Sequence, residues 1–376
     1  MDRDRLLIYL SIFVIMGLSD AVIPVLPEFA DLSQHNSGAF VSTLLFSAYF
    51  FGALITMLPF GILSERLGHK KLLLVSMVLT VTSGFLLFLA DNIVLLIFAR
   101  LLEGTACGAF FPSAFAVLAT YKKRKQYIGE FYFLLNAGLA SGVIIAGTLA
   151  SINFKYGIAF FTILSIIPFG VAALNFYKGD QMAASIKKDI RVELRDKVHS
   201  SFNLMIRGPF IYIWIANFAL LGANGVLLAL YPEYSMHFLS KNDLGFAIGV
   251  TYVATMISSI VSPYLPLKNL DLVRIGLIVA AIGTFLAISM PFSGFILLGL
   301  GSGFAMVGLP TILSYLSNER GIIMGVYSTC SYAGLAIVPV IAGLFIVYPG
   351  FEFVFTVTAL ILFATIAVTG KFTSRL

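Results

Sequence analysis

Long runs of uncharged, apolar residues alternate with short polar segments along the whole chain. Residues 45–60 and 72–90, for example, carry no charge, and the short segment between them carries five ionisable side chains. A run of about 18 or more apolar residues can cross a lipid bilayer as an α-helix. The pattern predicts twelve such helices, over residues 5–30, 37–63, 70–90, 93–120, 126–153, 156–177, 207–236, 242–262, 271–289, 292–317, 319–348 and 351–371.

Composition supports a membrane protein of the all-α class. The chain is 59% hydrophobic and 11% charged, whereas roughly a quarter of the residues of a soluble protein are charged. The first apolar run follows a charged start and resembles a signal peptide in that respect. At about 25 residues it exceeds the usual apolar region of such a peptide, about 7–15 residues, so we expect it to be the first membrane-spanning helix.

Basic residues are distributed unequally between the two sides of the predicted membrane topology. Of 24 Lys and Arg residues, 21 lie on the side of the N-terminus, Lys155 and Lys241 lie on the other side, and Arg100 lies within a helix. Loops rich in Lys and Arg remain in the cytoplasm. We therefore expect a plasma-membrane protein with both termini cytoplasmic. The net charge of +6 follows from this bias, so nucleic acid is not an expected partner.

The two halves of the chain repeat each other. The segment GEFYFLLNAGLASGVIIAG (129–147) matches GVYSTCSYAGLAIVPVIAG (325–343) at an offset of 196, and LPEF (26–29) matches YPEY (231–234). Parallel repeats of this kind build two-lobed transporters. We predict six-helix lobes over 1–177 and 207–376, joined by a polar segment, 178–206, that is either an amphipathic helix on the inner leaflet or a solvated linker.

Small residues recur in the repeated segments of the fifth and eleventh helices. They let helix backbones approach and slide closely, which a seam between two lobes requires. The glycines predicted to lie at this seam are Gly138, Gly142, Gly147, Gly334 and Gly343.

Three ionisable residues lie at membrane depth, where such groups are costly and usually functional. They are Asp20 in the first helix and Arg100 and Glu103 in the fourth. Arg100 and Glu103 share a helix face and can neutralise each other. Desolvation favours a neutral carboxyl group and a nearby cation favours an ionised one, so Asp20 can bind and release a proton as its contacts change. Direct substrate contact and a structural hydrogen bond remain alternatives for Asp20.

The second half has no acid or base at mid-depth, so we expect amide and aromatic side chains to line its part of a substrate cavity. Such a cavity suits lipophilic or cationic molecules, although each aromatic side chain alone can equally pack in the core or face lipid. The candidates, with one from the fifth helix, are Asn136, Trp214, Asn217, Asn224, Tyr252, Tyr315, Tyr327 and Tyr332.

The segment GILSERLGHKK (61–71) resembles the signature of the major facilitator superfamily between its second and third helices, G-x-L-(A/S)-D-R-x-G-(R/K)-(R/K). It departs from that signature at Glu65 and His69. Arg100 and Gly104 resemble the family's fourth-helix motif, and PVLP (24–27) after an embedded acid resembles the drug:proton antiporter branch. The antiporters' fifth-helix glycine pattern is partly met. The resemblance implies a latch that closes when the cavity faces outside, formed by Gly61, Glu65, Arg66, Gly68 and Lys70.

The resemblance implies a transporter that works by alternating access, most simply a proton-coupled exporter of lipophilic or cationic small molecules. Its expected partners are a small-molecule substrate, protons and membrane lipids, and we expect a monomer without cofactor or metal. No ATP-binding loop is present, so a proton gradient is the expected energy source. The alternatives are a proton symporter or uniporter of a metabolite such as an organic acid, and a lipid flippase. An intramembrane enzyme would need paired Asp, a His cluster or a Ser with a base, which the sequence lacks.

Overall fold

A computed structural model describes residues 3–32, 38–177, 208–316, 320–346 and 350–370, and all regular secondary structure in these ranges is helical. Twelve of the helical spans there are long and apolar enough to cross a membrane, which confirms the predicted number. The predicted linker, 178–206, lies outside the described residues. The helices are α1 (Arg3–Ala21), α2 (Gly38–Leu67), α3 (His69–Leu89), α4 (Ile93–Ala119), α5 (Arg124–Leu149), α6 (Tyr156–Tyr177), α7 (Gly208–Tyr234), α8 (Lys241–Val261), α9 (Asn269–Leu286), α10 (Pro291–Leu316), α11 (Arg320–Phe345) and α12 (Gly350–Gly370).

The first span is broken rather than continuous. α1 ends at Ala21, a 3₁₀ turn follows over Ile23–Val25, and a short helix, Leu26–Asp31, completes the span. Proline is tolerated in the first turn of a helix but interrupts a helix interior because it lacks an N–H group. Pro24 and Pro27 stand at the starts of the turn and of the short helix. The break places Asp20 at the end of α1 rather than inside a continuous helix.

The junction between α2 and α3 is shorter than the loop expected from the sequence. α2 continues to Leu67 and α3 begins at His69, so Gly68 alone separates them. Gly68 has φ of +89°, in the region that favours glycine because a Cβ would be strained there. Most of the predicted latch therefore lies in the last turns of α2 and not in a loop.

The described residues divide into two compact units, Met1–Lys188 with Ser235–Gly249, and Asp189–Tyr234 with Val250–Leu376. Within the first unit α1 packs against α5 and α6, and α3 packs against α4 and α6. Within the second unit the corresponding pairs are α7 with α11 and α12, and α9 with α10 and α12. The predicted repeat is thus present in the helix packing, and the two halves form pseudo-symmetric helical bundles.

α1 and α7 are the central helices of the two units. In their spans, 83% and 78% of the most apolar stretch is buried, against at most 56% in any other described span. Several of the other spans expose large apolar side chains, as surfaces that face lipid do. Polar groups on α1 and α7 therefore lie deepest inside their units, which makes them the first candidates for functional residues.

Four of the five predicted seam glycines lie at close helix crossings. A Cβ on Gly138 would lie 2.5 Å from the carbonyl oxygen of Phe13 in α1, and a Cβ on Gly142 would clash with the carbonyl of Gly17. Gly334 meets α7 in the same way. The reason is that α5 and α11 support the central helices, which requires close backbone approach. Gly147 approaches the start of α8 within the first unit, and Gly343 is buried in α11.

Candidate functional site

Three ionisable side chains are buried in the helices of the first unit. Asp20 of α1 and Arg100 and Glu103 of α4 are 5%, 2% and 1% exposed. The Nη1 atom of Arg100 lies 2.6 Å from Oε2 of Glu103, which confirms that these two residues pair on one helix face. Buried charges are tolerated when they are paired and hydrogen-bonded, and this pair meets both conditions.

Arg100 also binds the backbones of two other helices. Its Nη1 donates to the carbonyl oxygen of Ser19 and its Nε to that of Leu45, each at 3.2 Å. Its guanidinium carbon lies 5.0 Å from the ring centre of Tyr49. One side chain thus joins α1, α2 and α4. Because Asp20 follows Ser19 directly, its backbone lies beside the arginine.

Close packing of α2 and α4 explains how Arg100 reaches these groups. Gly104 is one turn beyond Arg100, and a Cβ there would clash with the carbonyl of Tyr49. Gly52 has the same relation to the carbonyl of Leu101. Glycines at both positions let the two backbones touch, and the arginine then needs to span only a short distance to Leu45.

The carboxyl group of Glu103 uses only one of its oxygen atoms in these contacts. Oε1 of Glu103 is buried and has no hydrogen-bond partner among the described residues. A carboxyl group at this depth is costly to keep ionised in a low-dielectric surrounding, so a buried carboxyl group is a chemically reasonable place for a proton to bind.

The deep amide side chains of α7 in the second unit are neutral and link helices. The Nδ2 atom of Asn217 donates to the carbonyl of Tyr327 at 3.1 Å and to the hydroxyl of Ser331 at 2.8 Å, which joins α7 to α11. The Nδ2 atom of Asn224 donates to the hydroxyl of Ser302 at 3.0 Å, which joins α7 to α10. Asn217 is fully buried, so in this structure it packs between helices rather than facing an open cavity.

The other predicted cavity residues are more dispersed. Trp214 is buried and stacks on Phe210 with ring centres 6.2 Å apart. The amide of Asn136 donates to the carbonyl of Tyr132 in its own helix. Three further tyrosines are half-buried on α8 and α11, namely Tyr252, Tyr327 and Tyr332. The side chain of Tyr315 lies outside the described residues.

The predicted latch is described only in part. Gly61 packs against Pro112 of α4, and a Cβ there would have ordinary contact at 3.6 Å. Lys70 forms an ion pair with Asp4 of α1, with Nζ 3.3 Å from Oδ2. The side chains of Glu65 and Arg66 lie outside the described residues. Asp4 was not predicted as a partner of Lys70, although its place in the charged start of the chain was a usable signal.

A second polar group at the same end of the first unit was also missed. The hydroxyl of Tyr9 donates to Oε2 of Glu130 at 2.6 Å, and the amide of Gln126 donates to Oε1 of Glu130 at 2.8 Å. Arg5 stacks 4.3 Å over the ring of Tyr127. These contacts join the beginning of α1 to the beginning of α5. Glu130 lies inside a predicted span, which alone could have drawn attention to it.

No metal site is evident in the part of the chain that the structure describes. No group of three or more His, Cys, Asp or Glu side chains there could hold an ion. Both cysteines, Cys107 and Cys330, are buried free thiols, as expected for small apolar side chains.

Curated relatives resemble the chain over almost all of its length. It is 26% identical over 365 residues to the quinolone resistance protein NorA of Staphylococcus aureus (strain MRSA252), covering 91% of this chain and 90% of that one. It is 23% identical over 354 residues to multidrug resistance protein 2 of Bacillus subtilis (strain 168), covering 89% and 86%.

Solved structures share the fold at low sequence identity. A mutant of the nucleoside transporter NupG aligns with a TM-score of 0.78 and 11% identity, covering 99% of each chain. The human organic anion transporter MFSD10 aligns with a TM-score of 0.69 and 15% identity, covering 98% of this chain and 99% of that one. The sequence model of the Major Facilitator Superfamily matches residues 8–339. The chain therefore belongs to the major facilitator superfamily, and it is a membrane transporter rather than an enzyme.

Proposed function

We propose that this transporter exports lipophilic or cationic small molecules in exchange for protons. The observation that carries the proposal is the burial of two carboxyl groups, those of Asp20 and Glu103, in membrane-spanning helices that Arg100 joins. A proton carried by Asp20 would neutralise its carboxyl group while it is buried.

A buried carboxyl group gives exchange a simple physical basis. A proton and a cationic cargo both neutralise a carboxylate, so the arrival of one weakens the binding of the other. A carrier that opens alternately to the two sides then moves the two species in opposite directions. Arg100 is held by Ser19, Leu45 and Glu103. We therefore assign it to setting the proton affinity rather than to binding cargo.

Two further observations support export of lipophilic cargo. The relatives are named for quinolone resistance and multidrug resistance. The deep polar groups of α7 are neutral amides beside aromatic rings, which suits apolar molecules with few hydrogen-bonding groups. As cargo contacts during the cycle we propose the part-buried and aromatic candidates Asn136, Trp214, Tyr252, Tyr327 and Tyr332, together with Asn217 and Asn224.

The orientation follows from charge. Because 21 of 24 basic residues lie on the N-terminal side, we propose that both termini face the cytoplasm of a plasma membrane. The residues at the junction of α2 and α3 (Gly61, Glu65, Arg66, Gly68 and Lys70) then lie on the cytoplasmic side, where we propose that they act as the latch.

The test is proton movement in reconstituted liposomes that contain a pH-sensitive dye. The wild-type protein and the Asp20→Asn variant would be compared under an imposed pH gradient, with tetraphenylphosphonium as a lipophilic cation and a set of organic acids. The matched control is Asp31→Asn, because Asp31 lies in the same span but is exposed. We expect cation-dependent proton flux in the wild type and the control, and its loss in Asp20→Asn.

The other outcomes contradict the proposal in different ways. Equal proton flux in Asp20→Asn would remove Asp20 as the proton carrier and would direct the same test to Glu103→Gln. Proton flux of the opposite sign, driven by organic acids, would indicate symport. Cargo movement without any proton flux would indicate a uniporter or a flippase.

A further inference from the structure

The internal repeat places a pair of aromatic rings at the same position in each unit. In the first unit Phe29 packs edge-on against Phe154, with ring centres 5.4 Å apart. In the second unit Tyr234 packs against Phe351, with ring centres 5.8 Å apart. Phe29 and Tyr234 end the matching segments LPEF and YPEY, and their partners lie within two residues of the starts of α6 and α12. The two pairs are therefore equivalent, and their surroundings can be compared.

In the first unit the chain itself supplies a cation beside the aromatic pair. The Nζ atom of Lys155 lies 5.7 Å from the ring centre of Phe154, within the range of a cation–π contact. The same atom donates at 2.7 Å to the carbonyl oxygen of Ala90, which caps the end of α3. The last carbonyl groups of a helix carry partial negative charge. An aromatic ring and a helix end thus hold a positive charge at this place.

The corresponding place in the second unit carries an acid. Glu352 directly follows the second ring of its pair, as Lys155 does in the first unit, and it is exposed in the first turn of α12. The hydroxyl of Tyr234 donates at 3.0 Å to the carbonyl of Ile288, just after α9, and lies 3.4 Å from Oε1 of Glu352. A hydroxyl has one proton to donate, so the shorter bond to Ile288 leaves most of the acceptor capacity of the carboxylate for another group.

The two rings beside Glu352 are fixed from below and remain accessible from outside. Phe355 is fully buried, and its ring centre lies 5.4 Å from that of Tyr234 and 6.4 Å from that of Phe351. The buried ring of Tyr231 lies 5.5 Å from that of Tyr234. Tyr234 and Phe351 themselves are half-buried, so each offers part of its ring surface to a molecule outside. Rings that are held in place before binding lose little freedom on binding.

We propose that Tyr234, Phe351 and Glu352 form a binding site for an organic cation, here called the aromatic cation site. The carboxylate supplies the opposite charge, and the rings supply cation–π and apolar contact. A metal ion would need several oxygen ligands, whereas an ammonium or phosphonium group with apolar substituents fits one carboxylate beside two rings. The proposed orientation places this end of α7 outside the cell. Use of the site by departing cargo rests on the proposed export of cations, but binding at the site does not.

The experiment uses a tryptophan at the site as a local reporter. Trp214→Phe removes the single native tryptophan, and Phe351→Trp places one in the ring pair. Tetraphenylphosphonium, whose charge is permanent, is added to this protein in a maltoside detergent, and we expect a saturable change in tryptophan emission. Adding Glu352→Gln should weaken the apparent affinity roughly fivefold, the upper range for loss of an exposed ion pair. Glu352→Lys should weaken it further, because the lysine would supply the positive charge from within the chain.

The matched control is Asp271→Asn, since Asp271 is also an acid in the first turn of a helix of the second unit but pairs with Arg274. It should leave the affinity unchanged. An affinity that is equal with and without Glu352→Gln would overturn the proposal. Displacement of the probe by a short-chain phosphatidylcholine would assign the site to a lipid headgroup and overturn its assignment to a dissolved cation.

The signal arises at residue 351, so the result does not depend on Asp20 or on proton exchange. Failure of the aromatic cation site and failure of the proposed exchange are therefore distinguishable. Thermal unfolding of each variant would identify misfolding. Where the introduced tryptophan prevents folding, equilibrium dialysis of tetraphenylphosphonium against Asp20→Asn, with and without Glu352→Gln, measures the same loss with the native rings in place.

Discussion

The two units share one arrangement of helices but link their central helices with different chemistry. At the 205-residue spacing that relates Glu28 to Glu233, Ser19 corresponds to Asn224. In the first unit α4 reaches this position with a charged side chain, since Arg100 donates to the carbonyl of Ser19. In the second unit α10 meets it with a hydroxyl, since Ser302 bonds the amide of Asn224. The same crossing is therefore ionic in one unit and neutral in the other.

The difference shows that a repeated fold does not require repeated chemistry. An amide and a hydroxyl satisfy each other in a small space. A buried guanidinium needs several hydrogen-bond acceptors and a counter-charge. Backbone carbonyl groups of α1 and α2 and the carboxylate of Glu103 meet these needs for Arg100. The ionic crossing can respond to a proton, whereas the neutral crossing cannot. The predictions below change each crossing in turn.

Removal of Arg100 should have the largest effect. Arg100→Met leaves Glu103 buried and unpaired, and breaking a buried ion pair from one side typically costs about 3–5 kcal/mol. We expect a loss of that size in the free energy of unfolding in detergent. The double variant Arg100→Met with Glu103→Met removes both charges and should lose much less. Equal losses in the single and double variants would show that charge balance does not govern this crossing.

Substitution of glycines at helix crossings should have the second-largest effect on stability, and the loss should be similar in the two units. Gly142→Ala places a methyl group against the backbone of Gly17, and Gly334→Ala places one 2.7 Å from the carbonyl of Phe218. Overpacking of this kind costs about 1–3 kcal/mol. Thermal unfolding should detect both losses. Gly129→Ala is the control, because nothing lies within 4 Å of its Cβ position, and a destabilised control would refute the explanation.

Substitution at the neutral crossing of α7 and α10 should cost less stability than substitution at the ionic crossing of α1 and α4. Asn224→Leu removes the hydrogen bond to Ser302, and such bonds contribute about 1 kcal/mol. The serine hydroxyl can turn toward its own helix, which limits the loss. Asn136→Leu serves as the control, because the amide of Asn136 donates to the carbonyl of Tyr132 in its own helix. A loss for Asn224→Leu as large as that for Arg100→Met would contradict the contrast between the units.

The ion pair between Lys70 and Asp4 should affect stability least. Their side chains are 48% and 28% exposed, and exposed pairs contribute about 0–1 kcal/mol. Lys70→Gln should therefore leave thermal unfolding almost unchanged, as should the exposed control Lys122→Gln. If Lys70 also belongs to a latch, Lys70→Gln should alter the transport rate although stability is kept. A transport rate equal to that of the control would remove Lys70 from the latch.

Much of the fold was predictable because hydrophobic length and charge are local properties of the chain. The twelve spans and the pairing of Arg100 with Glu103 followed from run length and from helical spacing. The break after Ala21 was not predicted, although Pro24 and Pro27 signalled it. The packing partners of the glycines could not be predicted either. Small residues indicate that two helices cross closely, but they do not show which helix is the partner. In the structure Gly138 and Gly142 contact α1.

The sequence by itself determined the number of membrane-spanning helices, the internal repeat and the few charges that lie within those helices, because each depends on which residues follow one another. Tertiary structure alone decided which groups meet: Arg100 with the carbonyls of Ser19 and Leu45, Asn217 with Ser331, and Lys241 with Glu28. Every residue has a backbone carbonyl, so residue identity does not indicate which carbonyl accepts a hydrogen bond from a side chain. Their use as partners depends on how helices cross, and packing across the whole unit sets those crossings.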